Sequence, residues 1–178
     1  MAQQDVLQTA RLTLKAISVA DLPAVHRLHS NEEVLRFINR QAPESEANTL
    51  AFIEKIETGV QQGRWYYWGL YDQDLPTELI GTICLWQFND TRTSAEIGFD
   101  LLPKHQRKGL MQEAVTTVLD FAKEVLELKS VTGIVRVENQ ASIRLLERNS
   151  FQFVRELTDD EKFSGEAAYR IQLFECLW

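Results

Sequence analysis

The chain alternates between two hydrophobic periods. Residues 11–17 put Leu12, Leu14 and Ala16 on one face and Thr13 and Lys15 on the other, which is the period-two pattern of a strand. Ser18 stands three residues before Asp21, a variant of the helix-capping signal, and Leu22, Val25, Leu28 and His29 then recur at helical spacing. Asn31 can cap a second short helix holding Val34, Leu35 and Ile38. A third helix is predicted from near residue 44 to about 59, through Leu50, Ile53 and Ile56. From Trp65 the period returns to two. Residues 65–71, 79–88 and 93–102 read as strands of an antiparallel meander, joined by turns at 72–77 (with Asp74 and Pro76) and 89–92. Residues 106–126 revert to helical spacing, with Leu110, Ala114, Val118 and Ala122 beside Met111, Val115 and Leu119. A β-branched run at 130–137, a helix at 140–148 and closing strands at 151–157 and 168–176 follow, the last two joined by an acidic loop at 158–165. The order is βαα, βββ, αβαββ, with no linker or repeat. It predicts one α+β domain over residues 1–178.

Composition narrows the classes of function. With 178 residues, 44% hydrophobic and 25% charged, the chain has the makeup of a soluble globular domain with a sizeable core. A net charge of −7 argues against nucleic-acid binding, which needs a basic face, and is compatible with a cationic substrate. Cys84 and Cys176 sit in apolar runs and form no CxxC, so buried free thiols are expected rather than a disulfide or zinc site. His26 and His29 lie three apart on a helix without an evident third ligand, so no metal is expected. The N-terminal MAQQDVLQTA lacks the layout of a signal peptide, and no apolar run is long enough to span a bilayer. A cytoplasmic protein, with neither a membrane nor a nucleic-acid partner, is therefore expected.

The segment with the most chemical content is 101–115, LLPKHQRKGLMQEAV, which joins a strand to a helix through a turn carrying Lys104, Arg107, Lys108 and Gly109. A helix N-terminus offers unpaired N–H groups and the positive end of a dipole. Cationic side chains and a glycine that lets the backbone approach closely complete an anion cradle. The turn matches neither the Walker A pattern nor GxGxxG. It does match [RQ]-x-x-G-x-[GA] at Gln106–Gly109, with Met111 where Gly or Ala is usual. This arrangement resembles the GNAT superfamily of acetyl-CoA-dependent N-acetyltransferases, and more narrowly the RimJ/RimL-like, ribosomal-protein type. Four further segments carry the resemblance in the family's order: RLTLKAISVADLPAV (11–25), AEIG (95–98), KGLMQEA (108–114) and ENQASIRLLERNSF (138–151).

The resemblance implies a twisted mixed sheet of about seven strands with helices on both faces and a gap between its central parallel strands. It implies acetyl-CoA as co-substrate, its pyrophosphate on Gln106, Arg107, Lys108, Gly109, Leu110 and Met111. The pantetheine arm would lie along Leu101 and Leu102, touching Asn139, with Ser142 near the sulfur. A backbone N–H of strand 93–102 would polarise the thioester carbonyl. The acceptor would be a primary amine: a protein N-terminus, such as that of a ribosomal protein, or a small amine. An acyl-CoA-binding module without turnover is the alternative. An exposed strand edge could support a homodimer.

Glu96 is the candidate general base. Alternation puts Glu96, Gly98 and Asp100 on one face and Ile97, Phe99 and Leu101 on the other. An amine nucleophile must lose a proton held with a pKa of about 8 for an α-amino group or about 10.4 for lysine, and a partly desolvated carboxylate can take it. A solvent-facing or arginine-paired glutamate is the alternative at this position, and Asp100 the nearest rival. Ser142 is the candidate acid for the departing thiolate, with Tyr169 the second choice. Asn139 is also a good N-cap for the helix that follows. Asn149 is expected to take the left-handed turn that ends that helix. Trp65, Tyr66, Tyr67 and Trp68 could wall the acceptor pocket, with ordinary sheet packing the alternative reading for at least alternate members.

Overall fold

Strand pairing orders this chain in space. The computed structural model describes residues 5–166 and 168–178; the N-terminal stretch read for a leader begins at residues 1–4, outside the described residues. Strands β1 (Leu7–Gln8), β2 (Leu12–Ala16), β3 (Tyr66–Asp72), β4 (Leu75–Trp86), β5 (Ser94–Leu101), β6 (Ser130–Arg136), β7 (Gln152–Glu156) and β8 (Ile171–Leu177) form one sheet. Its order is β1-β2-β3-β4-β5-β6-β8-β7. This is an α+β mixed sheet with eight strands rather than seven; the additional β1 has two residues, too few to show a period. The expected turn at 72–77 is shorter, because β4 starts at Leu75 and takes Pro76 into a register irregularity opposite Tyr71 and Asp72.

Helices α1 (Leu22–His29), α2 (Glu32–Leu35) and α3 (Glu46–Gln61) precede β3, α4 (Leu110–Glu124) connects β5 to β6, and α5 (Gln140–Arg148) follows β6. The side chains of Asn31, Ser45 and Asn139 accept the backbone N–H bonds that open α2, α3 and α5. Strand alternation sends successive aromatics into different cores. Tyr67 packs with Val25, Leu28, Ile53 and Ile56 of α1 and α3. Trp68 packs with Leu12, Leu14, Val115 and Val118, on the side of α4.

Two polar anchors fix the helices that flank the parallel strands. Glu113 accepts bonds from Thr9 Oγ1 at 2.8 Å and Arg11 Nε at 2.6 Å, tying the start of α4 to the β1–β2 connection. Asn149 is buried; it donates to the Leu145 carbonyl at 2.8 Å and accepts from Gln112 and Thr116 at 2.9 Å each, so α5 is tied to α4. The left-handed residue at the end of α5 is therefore Ser150, at φ 67°, and not Asn149, at φ −99°. A side chain committed to three tertiary bonds fixes the Asn149 backbone and passes the reversal to the next residue.

β5 and β6 are the only parallel neighbours among the described strands, and they pair over three positions only: Ser94 with Ser130, Ala95 with Val131, and Glu96 with Thr132. β5 continues to Leu101 paired with β4 alone, and β6 continues to Arg136 paired with β8 alone. The close approach of β4 to β5 relies on Gly81. A Cβ there would overlap the Asp100 carbonyl and stand 2.9 Å from Leu101 Cδ1. Gly81→Ala is expected to cost about 1–3 kcal/mol of stability by urea denaturation; an unchanged midpoint would contradict this packing.

Candidate active site

Two cavities meet where β5 and β6 part. They share Phe37, Ile38, Phe99, Asp100, Asn139 and Ser142 as lining residues.

The first cavity, about 550 Å³, is built by the end of β5, the turn before α4 and the first turns of α4 and α5. The turn is formed locally. Gln106 Nε2 donates to the Leu101 carbonyl at 2.9 Å, Arg107 sits at φ 59°, and Gly109 caps α4 at φ 78°, a conformation that favours glycine. The first N–H groups of α4 therefore have no partner within the helix. Arg36, Arg107, Arg144 and Arg148 line this cavity, and none of the four belongs to an ion pair among the described residues. Unpaired guanidinium groups beside a helix N-terminus fit a polyanion such as the phosphates of acetyl-CoA.

Of the sequence candidates, Leu101, Gln106, Arg107, Gly109, Leu110, Met111, Asn139 and Ser142 all line the first cavity. Lys108 is exposed and does not, and Leu102 does not either. The expectation for Leu102 is corrected. β5 ends at Leu101; the Leu102 N–H donates to the Ile80 carbonyl and its own carbonyl accepts from His105 N, each at 2.9 Å, and its side chain is buried in the core around α1 and α3. Arg36, Arg144 and Arg148 escaped sequence reading because charged residues on an amphipathic helix or a loop look like a solvated face.

The second cavity, about 480 Å³, has a floor made by cross-strand rows. Thr82 faces Asp100, Tyr67 faces Cys84 and Cys84 faces Gly98, and Trp86 faces Glu96. Phe52, Trp65 and Phe163 add further aromatic surface. Trp65 and Tyr67 thus line the cavity as the alternation allowed. Tyr66 and Trp68 face the other way, and the Trp68 indole donates to the Asp5 carbonyl at 2.8 Å.

The two carboxylates of β5 have different surroundings. Asp100 accepts from Thr82 N at 3.0 Å, Thr82 Oγ1 at 2.6 Å and Arg40 Nη1 at 3.2 Å; Tyr67 OH in turn donates to Thr82 Oγ1 at 3.0 Å. Its lone pairs are engaged. Glu96 is half-buried, belongs to no ion pair among the described residues, and accepts a hydrogen bond from Trp86. Burial pushes its pKa up to about 7; the Trp86 bond opposes the rise and the nearby Glu166 charge adds to it.

The remaining groups sort by contact. Ser142 lines both cavities, while its backbone N–H donates to Asn139 Oδ1 at 3.2 Å, so Asn139 caps α5. Tyr169 lines neither cavity, and the Arg136 guanidinium lies 3.7 Å from its ring centroid. Burial, with Asp100 nearby, pushes the Cys84 thiol up to about 12, which keeps it protonated and poorly nucleophilic. His26 Nδ1 is 2.7 Å from Thr49 Oγ1, and no group of three or more metal-binding side chains occurs among the described residues. No helix among the described residues is long and apolar enough to cross a membrane.

Comparison with known proteins agrees with this architecture. The family model for the acetyltransferase (GNAT) domain matches residues 11–152. The chain is 33% identical over 147 residues to a Bacillus subtilis (strain 168) protein named as an uncharacterized N-acetyltransferase, YoaA, covering 83% of this chain and 82% of that one. It is 27% identical over 142 residues to a Vibrio cholerae spermidine N(1)-acetyltransferase, covering 80% and 79%. A crystal structure of spermidine N-acetyltransferase from Vibrio cholerae with CoA and spermine superposes with a TM-score of 0.79 at 25% identity, over 93% and 95% of the two chains. RimL, a ribosomal alpha-N-protein acetyltransferase in complex with coenzyme A, shares the fold with a TM-score of 0.84 at 20% identity, over 97% and 98%.

Glu96 also carries a stability consequence. Its folded-state pKa of about 7 lies above its ordinary 4.5, so ionisation is disfavoured in the fold. Stability is complete at pH below 4.5 and is lost as pH rises toward 7. Glu96→Gln is expected to be more stable than the parent by about 1–3 kcal/mol at about pH 8, and equal to it near pH 4, by urea denaturation at both pH values. A variant less stable at the higher pH would contradict the desolvated carboxyl.

Proposed function

We propose that this chain, which belongs to the acetyltransferase (GNAT) family and is an acetyl-CoA-dependent N-acetyltransferase, holds the donor in the arginine-lined cavity and the amine in the aromatic one. The observation that carries this reading is the meeting of the two cavities at Ser142, with Glu96 on the amine side. Acetyl-CoA supplies the activated acyl group. Arg36, Arg107, Arg144 and Arg148 neutralise its phosphates, and the N–H groups of Leu110 and Met111 bind the pyrophosphate. The pantetheine arm runs between β5 and β6, where their facing edges are not paired to each other. A β5 backbone N–H beyond Glu96 stabilises the oxyanion.

Glu96 acts as general base, directly or through a water. A pKa of about 7 makes it ionised often enough to react and basic enough to take a proton from the ammonium. Asp100 is held by Arg40 and Thr82 and serves to organise the cavity floor. As the C–S bond breaks, the Ser142 hydroxyl passes its proton to the leaving thiolate, whose conjugate acid has a pKa of about 8.5, and regains one from the nitrogen of the tetrahedral adduct, which becomes the neutral amide. An acyl-CoA-binding module without turnover has less support, because binding alone gives no role to a desolvated, unpaired carboxyl on the amine side.

The kinetic test follows from the direction of each shift. The rate at limiting acceptor is expected to rise with pH through a limb near the Glu96 value of about 7. Trp86→Phe removes a bond that stabilises the ionised form, so the limb should move up by about one pH unit. Glu96→Gln should lose about 100-fold or more in kcat/KM; full rate in Glu96→Gln at every pH would remove Glu96 from the mechanism. For the donor site, Gly109→Val puts a β-branched residue at φ 78° and is expected to raise the calorimetric Kd for acetyl-CoA about tenfold or more. Undiminished affinity would refute the cradle.

A further inference from the structure

Three of the five charged residues lining the second cavity are paired within the protein. The five are Arg40, Lys55, Glu96, Asp100 and Glu166. Asp100 is paired with Arg40 at 3.2 Å, and Glu166 with Arg136 at 3.4 Å in a buried bridge. This leaves Glu96, which the transfer step needs for the reacting amine, and Lys55, which belongs to no ion pair among the described residues. A substrate with a second ammonium group would find no free carboxylate and would face a lysine.

The aromatic rings do not replace the missing carboxylates. Ring faces attract cations, but two of these are already covered. The Arg40 guanidinium lies 5.6 Å from the Phe52 centroid, and that of Arg64 lies 4.8 Å from that of Trp65. Trp86 stacks on Phe163, with centroids 6.0 Å apart and planes at 20°. What the cavity offers is flat apolar surface, suited to a planar apolar group.

Two contacts join loops that border the cavity. Phe163 brings the segment between β7 and β8 onto Trp86, and Asn39 Nδ2 donates to the Ser164 carbonyl at 3.2 Å. That bond joins the segment between α2 and α3 to the one carrying Phe163. Loops joined beside the cavity favour a compact molecule over a continuing polypeptide.

We infer that the acceptor is a monoamine with a flat apolar body, of the arylalkylamine class, rather than a polyamine or a protein N-terminus. The inference rests on the transfer reading above and deepens it. Its one cationic nitrogen meets Glu96, and its ring lies against Tyr67 and Trp86.

The test compares 2-phenylethylamine, spermidine and a serine-initiated hexapeptide by thiol release from acetyl-CoA. Tryptophan fluorescence is followed in parallel, because Trp65 and Trp86 report occupancy without turnover. 2-Phenylethylamine is expected to show a kcat/KM about tenfold or more above either competitor, and to quench the fluorescence saturably. Lys55→Glu, a change at an exposed position, should raise kcat/KM for spermidine about fivefold or more by supplying the missing carboxylate. Spermidine or the peptide matching 2-phenylethylamine would overturn the inference and leave the transfer reading standing. Saturable quenching with no thiol release for any acceptor would overturn the transfer reading while supporting the pocket assignment. No quenching by 2-phenylethylamine would overturn the pocket assignment itself.

Discussion

The short parallel contact between β5 and β6 is the constraint on which the rest depends. Two strands that pair for three residues and then part leave facing edges without a strand partner in the middle of the sheet. Backbone N–H and C=O groups in such a place need partners, and a ligand that brings amides of its own can supply them. The surroundings keep the strands apart. β4 holds β5 on one side and β8 holds β6 on the other, each along most of its length. Glu113 and Asn149 fix α4 and α5, so the turn after β5 and the cap of α5 stand at the mouth of the gap.

Electrostatics divides the two cavities. On one side four exposed arginines lack carboxylate partners and are free to pair with an anion. On the other, Arg40, Asp100 and Glu166 have partners in the protein, and the two that do not are Lys55 and a carboxyl whose ionisation burial disfavours. The same desolvation that suits Glu96 to the base role proposed for it makes the fold less stable at neutral pH, a local conflict of the kind expected where function overrides stability. The Vibrio cholerae spermidine N-acetyltransferase shares the fold, and the acceptor we infer for this chain is a different amine.

What was legible in the sequence was local. Helices α1 to α5 and most strands follow from hydrophobic period and capping residues, and α5 was read to its boundaries because Asn139 caps it and Ile143, Leu145 and Leu146 mark its buried side. The anion turn was legible because a strand, a glycine and a helix start lie within ten residues of each other. The misses share a cause: they depend on tertiary partners. Asn149 was expected to be left-handed from its residue type, but three bonds to α4 and α5 hold it, and Ser150 takes the reversal. Leu102 was taken for part of the gap, but its backbone N–H is bonded to Ile80 of β4 and its carbonyl to His105 N. The floor of the second cavity needs the register of β3, β4 and β5, and the Arg40–Asp100 pair joins residues sixty positions apart. No local pattern encodes either.

A crystal structure of the protein with acetyl-CoA tests the central claim most directly. The phosphates are expected against Arg36, Arg107, Arg144 and Arg148, the pantetheine amides bonded to the edges of β5 and β6 beyond Glu96 and Thr132, and the thioester between Ser142 and Glu96. A cofactor bound elsewhere, or one that enters the arginine-lined cavity while β5 and β6 pair along their full length, would contradict it.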